Sequence, residues 1–216
     1  MSNILSLHPE LGWISGYIDY FPQQPFLSVL NRIQDIKAIE SFSRGRKKYP
    51  RPGEAYKFWK HYFPDFNSPA DYKMNADNTD NKPQQCIQAI ESIPKYSGKQ
   101  RFITKITGLP RNRQLAQVFE NPYIIYINRD PRAVVMSYYK QRWGYKTEPE
   151  AFKAIPFEKH IEVYTERYRA SWDGVKELKK FQFLSVNYED LVEESDNFFD
   201  KILEFTRLEK SSKFVQ

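Results

Sequence analysis

Apolar positions in the first hundred residues of this chain recur mainly at helical spacings; beyond them, short β-type runs alternate with helical stretches. Residues 2–8 read as a helix that ends before Pro9. Over 26–40, Leu27, Leu30, Ile33, Ile36 and Ile39 recur close to helical spacing and predict a second helix. Residues 41–53 form a basic loop containing Arg44, Arg46, Lys47, Lys48 and Arg51. A short helix is expected to start near Glu54 and to carry Tyr56, Trp59 and Tyr62. Residues 64–82, rich in Asn, Asp and Pro, predict a loop. Gln84 to Lys95 predicts an amphipathic helix with Cys86, Ile87, Ile90 and Ile93 on its apolar face.

From Arg101 onward the alternation is of another kind. Arg101 to Thr107 predicts a strand broken by Gly108-Leu109-Pro110, and Arg113 to Phe119 a helix. Tyr123 to Asn128 carries the run Ile124, Ile125, Tyr126 and Ile127, a short strand of β-favouring side chains. It ends at a polar corner where Asp130 is suited to cap a helix and Pro131 to begin one. That helix is expected to run to Trp143, followed by a long helix over Phe157 to Lys179. A strand over Phe181 to Val186, a polar corner at Asn187 to Asp190 and a last helix over Phe198 to Phe205 complete the pattern. Strand and helix in alternation predict the α/β class, a parallel sheet flanked by helices in three layers, in one domain without internal repeats.

Composition narrows the chemistry. The 216 residues are 40% hydrophobic and 16% aromatic, enough for a packed core. A net charge of +6 favours anionic ligands without choosing among them. A single cysteine, Cys86, excludes an internal disulfide and any multi-cysteine metal site, and the three histidines show no metal-ligand spacing. No metal is expected. No apolar run reaches the length of a membrane span and no signal peptide is evident, so a soluble cytoplasmic protein is expected.

The corner after the 123–128 strand places Arg129 where anions bind in open α/β sheets, at the carboxyl end of a strand and at a helix start. Ser137 adds a hydroxyl on the same helix. Pairing of Arg129 with a carboxylate, and packing of Ser137 as a small helical residue, would account for the same pattern. Tyr188 ends another strand, where it could stack on a base or simply pack. Lys105, Thr107 and Arg111 lie at or near a third strand end. Three strand ends opening on one edge of a sheet raise the case for a ligand there. Glu54 and His8 are candidate general bases, against a plain role as surface or capping residues.

The segment Ile124-Ile-Tyr-Ile-Asn-Arg-Asp-Pro-Arg-Ala-Val-Val-Met-Ser-Tyr-Tyr139 resembles the 3′-phosphate-binding segment of sulfotransferases that use PAPS, 3′-phosphoadenosine-5′-phosphosulfate. Phe183-Leu-Ser-Val-Asn-Tyr-Glu-Asp190 is similar to a later strand of that family, and Lys105-Ile-Thr-Gly-Leu-Pro110 to the stretch before its phosphate strand. His8-Pro9-Glu10 after the first helix brings the likeness closest to bacterial-type members. The resemblance implies a P-loop-nucleotide-hydrolase-like fold and sulfuryl transfer from PAPS to a hydroxyl or amine of a small-molecule or glycan acceptor. It implies cofactor contacts from Arg129 and Ser137 to the 3′-phosphate, from Tyr188 to adenine, and a site role for Lys105. Glu54 is the candidate base.

Three departures qualify that expectation. The family's Gly-rich 5′-phosphosulfate loop, which lies between its first strand and first helix, is not found. The chain is expected to begin just after that loop and to end before the family's basic Arg/Lys-Gly segment. The histidine that acts as base in cytosolic relatives falls near Thr107 and Gly108, and neither can take a proton. A non-catalytic relative that binds a nucleotide or a partner protein is therefore the alternative. Nucleic-acid binding rests on charge alone and is not expected, and a P-loop kinase is disfavoured because no Gly-x-x-x-x-Gly-Lys-Ser/Thr occurs.

Overall fold

A computed structural model describes residues 5–35, 51–66, 79–108 and 111–210. The basic residues Arg44, Arg46, Lys47 and Lys48 fall outside them. The first strand, β1 (Leu11–Trp13), is buried along its whole length and was not expected from the sequence pattern. Helix α1 (Gly16–Tyr20), equally unforeseen, follows it.

The segment expected to be α-helical over 26–40 is a 3-10 helix over Pro25–Asp35, and 36–40 lie outside the described residues. Its apolar positions are spaced by three throughout, which matches three residues per turn better than 3.6. Leu27, Leu30 and Ile33 are half-buried, Ser28 and Asn31 are buried, and Phe26, Val29 and Arg32 are exposed. The buried row fixes the helix. Asn31 donates to the Trp13 carbonyl at 2.8 Å and Ser28 to the Ile93 carbonyl at 3.0 Å.

Helix α2 (Tyr56–Tyr62) and helix α3 (Pro83–Ser97) form where the sequence places them. Gly98, in the left-handed region at φ 70°, ends α3, and the Lys99 amide bonds back to the Pro94 carbonyl at 2.8 Å. Between these helices lies the first core, with Ile18, Phe58, Trp59, Phe66, Cys86 and Ile93 fully or almost fully buried. Trp59 and Phe66 stack at 5.4 Å.

Strand β2 (Arg101–Ile103) pairs in parallel with β1, Leu11 opposite Arg101 and Trp13 opposite Ile103. It is shorter than the expected 101–107 because its partner ends at Trp13. Helix α4 (Asn112–Ala116) leads to strand β3 (Tyr123–Asn128), whose limits are those read from the sequence. Helix α5 (Pro131–Lys140) starts as expected and gives way to turns before Trp143. A short helix, α6 (Pro149–Lys153), was not expected. Helix α7 (Phe157–Leu178) packs on α5.

Strand β4 (Gln182–Asn187) pairs in parallel with β3, from Tyr123 opposite Gln182 to Asn128 opposite Asn187. The polar corner expected at 187–190 is already helical: α8 (Tyr188–Glu193) begins there, with Glu189 and Asp190 in its first turn, favourable at the positive end of a helix. Helix α9 (Ser195–Thr206) closes the described fold. Ile202, Leu203 and Leu208 join Leu5 and Leu11 in a second core, against which Ile103, Ile125 and Leu184 pack. Helices thus cover both faces of parallel strands, α3 and α7 on one and α9 on the other. Strands β2 and β3 do not pair, so the strands form two separate pairs. Among the described residues no helix is long and apolar enough to cross a membrane.

Candidate functional site

The carboxyl ends of β3 and β4 are tied together. Asn128 Nδ2 donates to Asn187 Oδ1 at 3.4 Å, and the Asp130 amide donates to Glu189 Oε1 at 3.4 Å. Asp130 caps α5 by accepting from the Arg132 amide at 2.8 Å, and it also takes the Arg132 guanidinium at 2.6 Å. Those bonds, the side-chain one foremost, hold its carboxyl at about 2, well below the usual carboxylate range. The cap fixes where α5 begins, and so where Arg129 leaves the strand.

Arg129 and Tyr188 come together at this corner. The Arg129 guanidinium lies 4.6 Å from the centre of the Tyr188 ring, within cation–π range. Both line a cavity of about 600 Å³ whose wall also includes Lys105 and Thr107. Three strand ends therefore meet around one space. Ser137 is on α5 as expected, but it is not among the residues lining that cavity; its hydroxyl accepts from Gln141 Nε2 at 3.3 Å.

Glu54 and Lys105, distant in sequence, form an ion pair at 3.2 Å. Both are partly exposed, so the pair directs the side chains more than it stabilises the fold. Next to it, the Tyr56 and Thr107 hydroxyls are 2.6 Å apart, and burial pushes Tyr56 up to about 12. Between Glu54 and Tyr56, Ala55 is buried in the left-handed region at φ 54°, an uncommon place for a residue with a Cβ. This kink lies where the ion pair and the hydroxyl pair adjoin, the kind of location where backbone strain is associated with function. Arg111 is buried and donates to the Thr107 carbonyl at 3.1 Å, which makes it a support rather than part of the cavity wall.

His8 is fully buried, bonded through Nε2 to the Glu209 carbonyl at 2.8 Å, near the amino ends of β1 and β2. It stands at the opposite end of the strands from Arg129. Among the described residues no group of His, Cys, Asp or Glu could hold a metal ion.

The cavity also takes Tyr138 from α5 and Tyr168 and Ser171 from α7, which sequence reasoning did not single out. Burial raises both tyrosines, Tyr168 with a further contribution from Asp130. A faint signal exists: Tyr164, Tyr168, Ser171 and Val175 share one face of α7 at spacings of four, three and four.

A model of the group described as "Sulfotransferase family" matches residues 1–212. The chain belongs to the sulfotransferase family. The solved structure of sulfotransferase STF9 from Mycobacterium avium is similar over 99% of this chain and 61% of that one, with a TM-score of 0.67 and 12% identity. That likeness concerns the fold, and this chain spans less than two thirds of the structure it matches. No curated protein matches the chain.

Proposed function

We propose that this sulfotransferase uses PAPS as its donor and transfers the sulfuryl group to a hydroxyl or amine acceptor. The observation that carries the proposal is the meeting of Arg129 and Tyr188 at the ends of two adjacent parallel strands, over a cavity that Lys105 also lines. A guanidinium offers the forked donors that a phosphate accepts. One face of the Tyr188 ring is beside that cation, which leaves the other for an adenine. Ser137, in the second turn of α5, is proposed to add its hydroxyl to the 3′-phosphate.

Bound there, PAPS supplies an activated sulfuryl group and leaves as adenosine 3′,5′-bisphosphate. Glu54 is proposed to take the acceptor proton on a carboxylate oxygen, and Lys105, 3.2 Å away, to direct that carboxylate and to face the donor's negative charge. Tyr56 and Thr107, bonded to each other, hold the wall beside them.

Calorimetry with adenosine 3′,5′-bisphosphate tests the nucleotide half. Arg129→Ala should weaken binding by roughly 10- to 100-fold, the loss of about 1.5–3 kcal/mol of charge-assisted bonding. Adenosine 5′-phosphate, which lacks the 3′-phosphate, should bind weakly to both proteins. Equal affinity for the two nucleotides in the wild type would sink the assignment of Arg129. Glu54→Gln tests the other half: sulfation should fall by roughly 10²–10⁴-fold while nucleotide affinity stays unchanged. Nucleotide binding with no sulfation of any hydroxyl or amine by the wild-type chain would favour a non-catalytic relative.

A further inference from the structure

Glu54 and Tyr56, two residues apart, meet Lys105 and Thr107, also two apart, in adjoining contacts. Lys105 Nζ lies 3.2 Å from Glu54 Oε1, and the Tyr56 and Thr107 hydroxyls are 2.6 Å from each other. Ala55, buried at φ 54°, turns the chain between the first two. Lys105 and Thr107 line the cavity of about 600 Å³, whereas Glu54 and Tyr56 are not among its lining residues. The carboxylate therefore stands behind the wall. An acceptor that reaches this wall from the cavity meets the Thr107 hydroxyl before it meets the base.

We propose that the Thr107 and Tyr56 hydroxyls form a proton relay from the acceptor to Glu54, with Thr107 the catalytic residue that touches the acceptor. The inference rests on the reading of Glu54 as the base. The acceptor O–H gives its proton to Thr107 Oγ1, Thr107 gives its own to the Tyr56 oxygen, and Tyr56 gives its own to the Glu54 carboxylate. The electron pair left on the acceptor oxygen forms the bond to sulfur, and the donor's phosphate oxygen keeps the pair of the bond that breaks. Thr107 and Tyr56 end neutral, and Glu54 ends as the acid. A hydroxyl both donates and accepts, so it can take one proton as it releases another without holding either. Lys105 engages Glu54 Oε1, and the carboxylate keeps a second oxygen for the phenol.

The bonds run in the order this flow needs. Burial, the largest cause, pushes Tyr56 up to about 12; the Thr107 hydroxyl acts to lower it, and Glu54, through its charge and a side-chain bond, acts to raise it. A hydrogen bond received by a phenol oxygen favours the ionised form, and one donated to a carboxylate favours the neutral form. Tyr56 thus receives from Thr107 and donates toward Glu54. The Thr107 carbonyl, 3.4 Å from the phenol, is a longer alternative acceptor and already takes Arg111 at 3.1 Å. A phenol held near 12 does not ionise at neutral pH, so it passes a proton on only while it receives another.

The whole 216-residue chain, labelled with carbon-13 at the hydroxyl-bearing ring carbon of its tyrosines, tests the series of bonds without turnover. Tyr56→Phe assigns the Tyr56 signal. That signal should move on Thr107→Val and on Glu54→Gln, in opposite senses, because one bond is received and the other donated; a signal indifferent to either change overturns the relay. Sulfation of β-naphthol tests the transfer itself. Tyr56→Phe and Thr107→Val should each lower kcat by roughly 10²-fold. The double variant should be no slower than either single one, since one missing link already breaks the series. Thr107→Ser, which keeps the hydroxyl, should stay near the wild-type rate, and affinity for adenosine 3′,5′-bisphosphate should be unchanged in every variant. With para-nitrophenol, already ionised in mildly alkaline buffer and so without a proton to give, Tyr56→Phe should match the wild type. A wall merely loosened would slow both acceptors alike. Equal losses with the two phenols, or Thr107→Ser as slow as Thr107→Val, would overturn the relay. A slow Glu54→Gln beside a Tyr56→Phe at the wild-type rate sinks the relay and leaves the base assignment standing. A Glu54→Gln at the wild-type rate sinks the base assignment, and the relay with it.

Discussion

Asp130 organises the corner on which the donor assignment rests. It caps α5, holds Arg132 and sits one residue from Arg129. Its folded-state pKa is depressed to about 2, so its contribution is present above the ordinary carboxylate range and is lost as pH falls through about 2. Acid unfolding of the wild type should therefore show a fall in stability between about pH 4 and about pH 2 that Asp130→Asn lacks. Parallel acid titrations followed by circular dichroism would check it; identical pH profiles would remove Asp130 as the anchor. The role of Asp130 was legible because cap, proline and strand end are neighbours in sequence. The Glu54–Lys105 pair was not, since both residues were singled out without anything to bring them together. Tyr168 was hidden among 15 tyrosines.

At the level of elements, legibility followed isolation from partners. Strand β3 and helices α3 and α7 carry their own signals of β-branched runs, a proline start, a glycine stop or a long apolar stripe, and they form nearly where the pattern puts them. Strand β2 is cut short by the length of its neighbour, which no local signal announces. The 3-10 helix was readable in kind, because its apolar positions repeat by three, but the repeat is close enough to 3.6 to pass for α. Strand β1 is three residues long, and its middle residue explains its placement. A Cβ on Gly12 would lie 3.0 Å from the Pro94 Cα and 3.0 Å from the Ser97 hydroxyl. The strand thus touches α3 backbone to backbone. Gly12→Ala should push the two apart and cost about 1–3 kcal/mol, read as a lower denaturant midpoint with an unchanged slope. A variant as stable as the wild type would show that α3 yields freely.

For the molecule as a whole, the break between β2 and β3 divides the backbone hydrogen bonding into two sets. One is β1 and β2 with the Trp59 core, the other β3 and β4 with α7. Native-state hydrogen exchange should resolve them as two protection classes with different opening free energies. A single class, with β1 to β4 amides exchanging together, would mean that side-chain packing alone couples the halves. Cys86 reports on the first half independently. Burial pushes its thiol up to about 12, so it should stay unlabelled at about pH 8 until that core opens.

The register of the strands carries a consequence for how the chain reaches this state. Asn128 meets Asn187 across 59 residues, most of them occupied by α5 and α7, which can form locally and shorten the search. Leu11 must wait for Arg101 with the whole aromatic core between them. Loop closure grows costlier with the length closed, and distant pairings slow assembly. The half that bears Arg129 and Tyr188 is thus expected to be the earlier to form, and β1, although ahead of the other three described strands in sequence, the last of them to find its place.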